Sequence, residues 1–574
     1  MRGADLLVKI LETHGVDNLF GLPGDTTMAF YDALRDSSIS HILGRDERST
    51  GYMADAYARL SGRPGVVEAP SGGGATYLLP AAAEADDSNV PMVLLTSDTP
   101  LSSDNRASIT SLDQVGLYKS STRESLRALR PEFIPHLVRS VFRSATAPPG
   151  GAAHLALPED VLAADVAAPD ASNSDTPGSP CNYPSHRARP DADSVTRATK
   201  LMLEATRPVI LVGGGVHLSG AGQAVTELAE HLGAAVVSSM DGKGGVPEDH
   251  PLALGVIGGN GAKEASNRAM RECDFLLAIG TKLNSTTTWG GNLLANSPTL
   301  VHVDANPLNL GLNADPAEAL MADARLAAGD LLACLADYRE PAERSDWVRD
   351  LKDAAEDERR RAHASGPAPG GLLHPGAIFG IMEETLPSEA VLIADAGTPT
   401  PYLMAYYCAT AEGKTAYAAR SHGSLGYALP AAMGASLARP NTPVVALVGD
   451  GSLNMTVGEL ETLSRGEGPI IVVHFRNESY GWIKMLQKLY YEERYLSVDF
   501  APGTDYVKAA EAMGARSVAV SCPDEFRREL MVSREEQLSF LEIRVPPETE
   551  LTPPVAAWQR DEKIPAEKRR RRSY

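Results

Sequence analysis

The sequence predicts an α/β chain of three domains, each built on a parallel sheet. Apolar runs of strand length are continuous rather than alternating, the pattern of strands buried on both faces. They alternate with helix-like segments almost from end to end. Two stretches break this rhythm, and 574 residues at about 150 per domain leave room for three or four domains.

The first domain, 1–167, opens with a helix-like stretch from Ala4 to His14. A short apolar run ending in FGLPGD (Phe20 to Asp25) follows, then an amphipathic stretch from Thr27 to Leu34 and an apolar strand, PMVLLT, from Pro91 to Thr96. Residues 168–192, rich in Pro, Ser and Asp, read as a linker. The central domain, 193–338, carries strands at Pro208 to Val212, Phe275 to Ile279 and Leu300 to Val303. Residues 339–372 begin with a charged helix-like segment and end in ASGPAPGG, a second linker. The last domain, 373–546, carries strands at Val391 to Ala394, Val444 to Val448 and Ile470 to His474. The tail, 547–574, carries Lys568 followed by Arg569 to Arg572 and reads as a solvated, disordered end.

Bulk chemistry narrows the function. Lys and Arg total 53 against 74 Asp and Glu, a formal charge of −21, which argues against a phosphate-backbone partner. No apolar run reaches the length of a membrane span. The opening Met-Arg-Gly-Ala-Asp lacks a signal-peptide pattern, so a cytoplasmic protein is expected. The five cysteines, Cys181, Cys273, Cys334, Cys408 and Cys522, stand singly, which suits a reducing compartment and carries no zinc spacing.

The segment 443–482 carries the strongest chemistry. It reads as a buried strand, a Gly-Asp-Gly turn, a helix, a second strand and a polar turn at Asn477. A strand–helix–strand unit sets the ends of its two parallel strands side by side. Asp450 and Asn477, 27 positions apart, then meet at the carboxyl edge where open α/β sheets bind ligands. Gly449 and Gly451 admit an anion close to the backbone. The following helix, expected from about Met455 to Ser464, offers its N-terminal amides to phosphate, and Ser452 is a further cofactor-binding candidate. A carboxylate, an amide oxygen and a backbone carbonyl are hard ligands suited to Mg²⁺ once phosphate oxygens complete the shell.

This segment resembles the thiamine diphosphate (ThDP) motif, and residues 3–547 are similar to the acetolactate synthase/pyruvate decarboxylase superfamily. The resemblance implies a pyrimidine-binding first domain, a nucleotide-binding-like central domain and a diphosphate-binding last domain. It implies Mg²⁺ held by Asp450, Asn477 and the carbonyl of Ser479, with Arg476 where the family usually has Asn. RDERSTGYMADAYARLSGRPGV (45–66) is similar to the segment whose glutamate contacts the cofactor's aminopyrimidine, here Glu47. A buried carboxyl with a raised pKa suits that role, because ring nitrogen N1′ must be protonated before the 4′-imino group takes the C2 proton. SHGSLGYALPAAMGA (421–435) resembles the segment under the thiazolium, with Leu425 as the apolar wedge and Gly423 as the carbonyl accepting from the amine. Gly397 to Thr400 lie where the family wraps the diphosphate, so Thr398 and Thr400 are candidate hydroxyl donors. His422 flanks the cofactor segment and could touch substrate, whereas His474, inside a buried strand, reads as a core residue. The family's active sites lie between subunits, so a homodimer or homotetramer is implied. VGGGV (212–216) resembles the central domain that carries FAD in acetolactate synthases. The stretch 278–291 lacks the acidic–Arg pattern of those enzymes, so FAD stays open and is not the favoured reading.

The reaction is less clearly marked. FGLPGD is closer to pyruvate decarboxylases, whose matching aspartate works in proton transfer, which makes Asp25 an acid/base candidate. Their His-His pair is missing from 100–115, and their second-domain Glu falls at Ile483. The synthases' Phe-Gln-Glu is replaced by Ile109-Thr110-Ser111, their Trp by Leu486, and their Arg aligns near Thr287. Residues 482–514 are most like the synthases, including an aromatic stretch (Tyr490, Tyr491, Tyr495) able to close over a site. The expectation is a carboligase or acyltransferase that decarboxylates a pyruvate-like 2-oxo acid and passes the acyl unit to a carbonyl acceptor. The alternatives are a simple 2-oxo acid decarboxylase, a FAD-assisted oxidase and a non-catalytic binding subunit. Neither nucleic acid nor membrane is an expected partner.

Overall fold

The computed structural model describes residues 1–167, 182–338 and 345–569. Parts of both expected linkers (168–181 and 339–344) and the end of the basic tail (570–574) lie outside the described residues. The chain forms two compact units: one of Met1–His186, Ala419–Pro440 and Thr456–Glu467, the other of Arg187–Ala418, Asn441–Met455 and Gly468–Tyr574.

The first unit holds a six-stranded sheet of β1 (Asn18–Gly21), β2 (Ser40–Leu43), β3 (Gly65–Ala69), β4 (Met92–Asp98), β5 (Glu124–Arg127) and β6 (Ala152–Pro158), in the order β2-β1-β3-β4-β6-β5. Every pairing is parallel. β3, β4 and β6 are buried throughout, as their continuous apolar runs require. Ala428–Ala438 is a helix of this unit and packs on the helix Glu47–Ser61. Gly434 makes the approach possible, since a Cβ there would collide with the Met53 carbonyl.

The second unit holds two more parallel six-stranded sheets. One comprises β7 (Pro208–Val212), β8 (Ala235–Ser238), β9 (Ala253–Val256), β10 (Phe275–Ile279), β11 (Thr299–Asp304) and β12 (Glu318–Met321), ordered β12-β11-β10-β7-β8-β9. The other comprises β13 (Val391–Ala394), β14 (Ala416–Tyr417), β15 (Val444–Gly449), β16 (Ile470–Arg476), β17 (Arg516–Val520) and β18 (Leu538–Arg544), ordered β14-β13-β15-β16-β18-β17. The charged segment that opens the expected second linker is an 18-residue helix, Asp346–His363. Ser345 caps it, and its apolar stripe (Val348, Leu351, Ala355) is buried.

Each sheet has an interior point where the strand order reverses, and the crevice at such a reversal is where these sheets take ligands. In the first sheet the reversal lies between β1 and β3, so FGLPGD runs off β1 beside the loop after β3, with Gly24 against Pro70. In the last it lies between β13 and β15, ahead of Gly397 and Gly449. In the central sheet it lies between β7 and β10, where the glycine turn packs backbone to backbone: Gly215 could carry a Cβ only 2.8 Å from the Gly280 Cα.

Candidate active site

The pairing of β15 with β16 puts Gly449 opposite Phe475, so Asp450 and Asn477 leave the sheet at one edge. Asp450 is buried, and its Oδ2 accepts from the amides of Asn477 (2.8 Å) and Glu478 (3.0 Å). The left-handed backbone of Glu478 (φ 57°) accompanies these two converging amides. The other oxygen, Oδ1, lies 3.2 Å from His474 Nε2, which donates to it because a carboxylate only accepts. Asn477 turns its Oδ1 to the Ser479 amide (3.2 Å) and hydroxyl (3.1 Å). Its Nδ2 donates to Glu548 Oε2 (3.2 Å) and lies 3.4 Å from Thr398 Oγ1. The structure therefore brings Asp450, Asn477, Ser479 and Thr398 together.

The surrounding backbone leaves room. A Cβ at Gly449 or Gly397 would meet nothing within 4 Å, and Gly397 has φ 131°, which favours glycine. Gly451 lies against the Tyr480 ring, and Ser452 is buried in the first turn of the helix Asp450–Thr456. The Thr400 hydroxyl donates to the Asp395 carbonyl (2.6 Å). Among the described residues no group of three or more His, Cys, Asp or Glu could hold a metal ion. A cation here would rely on one carboxylate, an amide oxygen, a carbonyl and its ligand's own oxygens, a donor set that suits Mg²⁺ better than zinc.

Glu47, Asp25, Gly423 and Leu425 belong to the first unit. Glu47 is the first residue of the helix Glu47–Ser61, capped by Asp46, whose carboxylate accepts from the Arg48 and Ser49 amides. Burial raises the Glu47 pKa, the direction a proton-holding carboxyl needs. Gly74 leaves space for it, since a Cβ there would sit 2.9 Å from Glu47 Oε1. Asp25 is exposed at the start of a single helical turn, Asp25–Thr27. Gly423 is exposed with φ 75°, Leu425 is half-buried, and the neighbouring His422 amide donates to Glu84 Oε2 (2.8 Å).

Three buried groups were not picked out by sequence reasoning as parts of a site. His474 contacts Asp450 as well as filling the core. Glu548 is 1% exposed, its pKa is raised by burial, and it bonds both Thr398 and Asn477. Glu68 lies on β3 opposite Gly21; burial pushes its carboxyl up to about 8, and it accepts from the Tyr31 hydroxyl (2.7 Å). The sequence signal for these residues was a polar or acidic residue inside, or a few positions after, an apolar strand. Arg476, at the family's Asn position, pairs with Glu542 (3.1 Å) and Glu478 (3.0 Å) and lies over the Tyr506 ring. In the aromatic stretch, Tyr490 donates to Asp561 (2.6 Å) while Tyr491 is exposed.

Comparisons with known proteins agree with this layout. Three family models match in chain order: thiamine pyrophosphate enzyme, N-terminal TPP binding domain (residues 1–117), central domain (195–331) and C-terminal TPP binding domain (395–543). Thiamine pyrophosphate is another name for ThDP. The chain is 32% identical over 539 residues to a probable acetolactate synthase large subunit of Methanocaldococcus jannaschii, covering 92% of this chain and 89% of that one. It is 30% identical over 528 residues to the acetolactate synthase isozyme 2 large subunit of Escherichia coli, covering 92% of each. It is also 30% identical over 534 residues to the acetolactate synthase of Mycobacterium leprae, covering 92% of this chain and 84% of that one. With its three parallel-sheet domains and its strand-edge site, the chain belongs to the thiamine pyrophosphate enzymes and is an acetolactate synthase-like, ThDP-dependent enzyme.

Proposed function

We propose that the chain is a ThDP- and Mg²⁺-dependent carboligase, which decarboxylates pyruvate or a similar 2-oxo acid and transfers the acyl unit to a second carbonyl compound. The meeting of Asp450, Asn477 and Ser479 beside two open glycines carries this reading. Similarity to acetolactate synthase large subunits over most of the chain supports carboligation in particular.

The residues suit the groups they would hold. Gly397 and Gly449 leave space that a side chain would fill, and Gly449, Gly451 and Ser452 place backbone amides at a helix start, where a diphosphate is favoured. Asp450, Asn477 and the Ser479 carbonyl would hold Mg²⁺, with Thr398 and Thr400 lining the same edge. When bound, ThDP supplies a nucleophilic carbon for the 2-oxo acid carbonyl and an electron sink for the loss of CO₂. Glu47 would hold a proton toward the aminopyrimidine, with Gly423 and Leu425 orienting the rings. Asp25, exposed on the turn after β1, is the candidate acid/base for the second half-reaction. FAD is not part of the proposal. A homodimer or homotetramer is, and light scattering checks it. A cytoplasmic location is also proposed; the cysteines Cys273, Cys334, Cys408 and Cys522 are unpaired, and no described helix is long and apolar enough to cross a membrane.

The deciding experiment supplies pyruvate with ThDP and Mg²⁺, with and without aldehyde or 2-oxo acid acceptors, and identifies products by mass spectrometry. Acetolactate or another ligated product is expected. Acetaldehyde as sole product would replace this reading with simple decarboxylation, which Asp25 favours.

A further inference from the structure

Glu548 sits in a turn just beyond β18, where the amides of Glu550 (2.9 Å) and Leu551 (3.1 Å) return to the Pro547 carbonyl. The sheet explains how it reaches the site. β18 pairs with β16 through Arg476 and Arg544, so the loop after β18 emerges beside the loop after β16, which begins with Asn477. The segment that follows is fixed in place. The Trp558 ring packs at a tilt against Trp482 of the helix Gly481–Tyr490, centroids 4.2 Å apart, and Lys488 of that helix donates to the Thr549 carbonyl (2.6 Å). Gly481 completes the seat: a Cβ there would overlap Glu548 Oε2.

Both carboxylate oxygens are used. Oε1 accepts from the Thr398 hydroxyl, and Oε2 accepts from Asn477 Nδ2 at 3.2 Å. Both oxygens of Glu548 are placed as acceptors, and the one nearest Asn477 faces its amide nitrogen and not its amide oxygen. It therefore decides which way round the carboxamide stands. With the NH₂ turned to Glu548 and Thr398, Oδ1 faces away, toward Ser479.

We propose that Glu548 is a positioning residue for Asn477: by holding the amide nitrogen it presents the amide oxygen to the divalent cation. This rests on the reading above that Asp450 and Asn477 hold Mg²⁺. The arrangement is the outer-shell logic of metal sites, in which a second group fixes the orientation of a ligand and tunes its affinity.

The test is a Mg²⁺ titration at saturating ThDP, followed by the fluorescence of the intrinsic tryptophans and by calorimetry. It uses the full-length wild type, Asn477→Ala, Glu548→Gln, Glu548→Asp and Gly481→Ala, with thermal unfolding in EDTA to verify folding. Glutamine can donate as well as accept, so it no longer dictates the orientation of Asn477. Glu548→Gln is expected to weaken Mg²⁺ binding by about 10–100-fold, with Glu548→Asp recovering part of the loss. Gly481→Ala, which displaces the carboxylate without deleting it, is expected to weaken binding in the same direction and carries the test if a Glu548 variant does not fold. At saturating Mg²⁺ the turnover of Glu548→Gln is expected to return toward wild type, a split that general loss of structure would not give. If Asn477→Ala loses Mg²⁺ while Glu548→Gln and Gly481→Ala bind it as tightly as wild type, or more tightly, the positioning role is overturned and the metal-site reading stands. If Asn477→Ala binds Mg²⁺ normally, the metal-site reading itself falls and takes this inference with it.

Discussion

Glu47 and Glu68 are carboxyls in the same unit, and burial raises the pKa of both. For Glu47 the consequence is catalytic. Glu47→Gln keeps the shape but cannot exchange a proton, so turnover is expected to fall by about 100–10,000-fold while ThDP still binds, measured by steady-state kinetics beside cofactor titration. Unchanged turnover would mean that another group serves the aminopyrimidine. For Glu68 the consequence is stability. Its folded pKa of about 8 lies above the ordinary 4.5, so its contribution is fully present below pH 4.5 and is lost as pH rises through 8. The span amounts to a loss on the order of 3–5 kcal/mol. Glu68→Gln keeps an acceptor for Tyr31 and is expected to flatten this slope, seen as a smaller difference in denaturant midpoint between pH 5 and pH 9. An equally steep slope in the variant would assign the pH dependence to other groups. Residues of this kind mark the limit of sequence reading. Asp450 and Asn477 were legible because a strand–helix–strand unit dictates where its two strand ends lie. Glu548 is 71 residues beyond Asn477 and reaches it only because β18 lies beside β16, a neighbour relation that no local pattern encodes.

At the scale of elements, the helix Glu47–Ser61 is tied to its surroundings by buried charge. Arg59 pairs with Asp55 (2.6 Å) and Glu84 (3.1 Å), all three nearly inaccessible to water. The Tyr427 hydroxyl donates to Asp55, while Glu84 accepts from the His422 amide. One cluster thus anchors both the helix that begins with Glu47 and the segment carrying Gly423 and Leu425. Arg59→Ala would leave two carboxylates without their cation, and such a break typically costs about 3–5 kcal/mol. A lowered denaturant midpoint checks this, and a change below about 1 kcal/mol would show that water or rearrangement replaces the guanidinium. The strands themselves were readable, with Pro208–Val212, Phe275–Ile279 and Val391–Ala394 matching the apolar runs residue for residue. The helix Asp346–His363 shows why a charged stretch is harder to read. Its apolar stripe is narrow, and only the packed structure shows that Val348, Leu351 and Ala355 are covered.

For the molecule as a whole, the site predicts how stability should depend on ligands. Asp450 is buried close to Glu548, and its charge adds to the cost of ionising Glu548 inside the fold. A divalent cation relieves that cost, and a ligand that binds only the folded chain stabilises it by about 2.7 kcal/mol at one hundred times its dissociation constant. ThDP with Mg²⁺ is therefore expected to raise the unfolding temperature by about 2–4 °C per kcal/mol for a unit of 150–250 residues, and by less for larger ones. ThDP with EDTA is expected to give a much smaller rise, since the diphosphate would then add negative charge beside Asp450 with no cation between them. Asp450→Ala removes the ligand and also the acceptor of the Asn477 and Glu478 amides and of His474. Without ligands the variant should therefore be less stable than wild type, by about 1–3 kcal/mol or more, while the rise from Mg²⁺ disappears. Scanning calorimetry of both chains under the three conditions measures each term. A full Mg²⁺-dependent rise in Asp450→Ala would place the cation elsewhere in the chain.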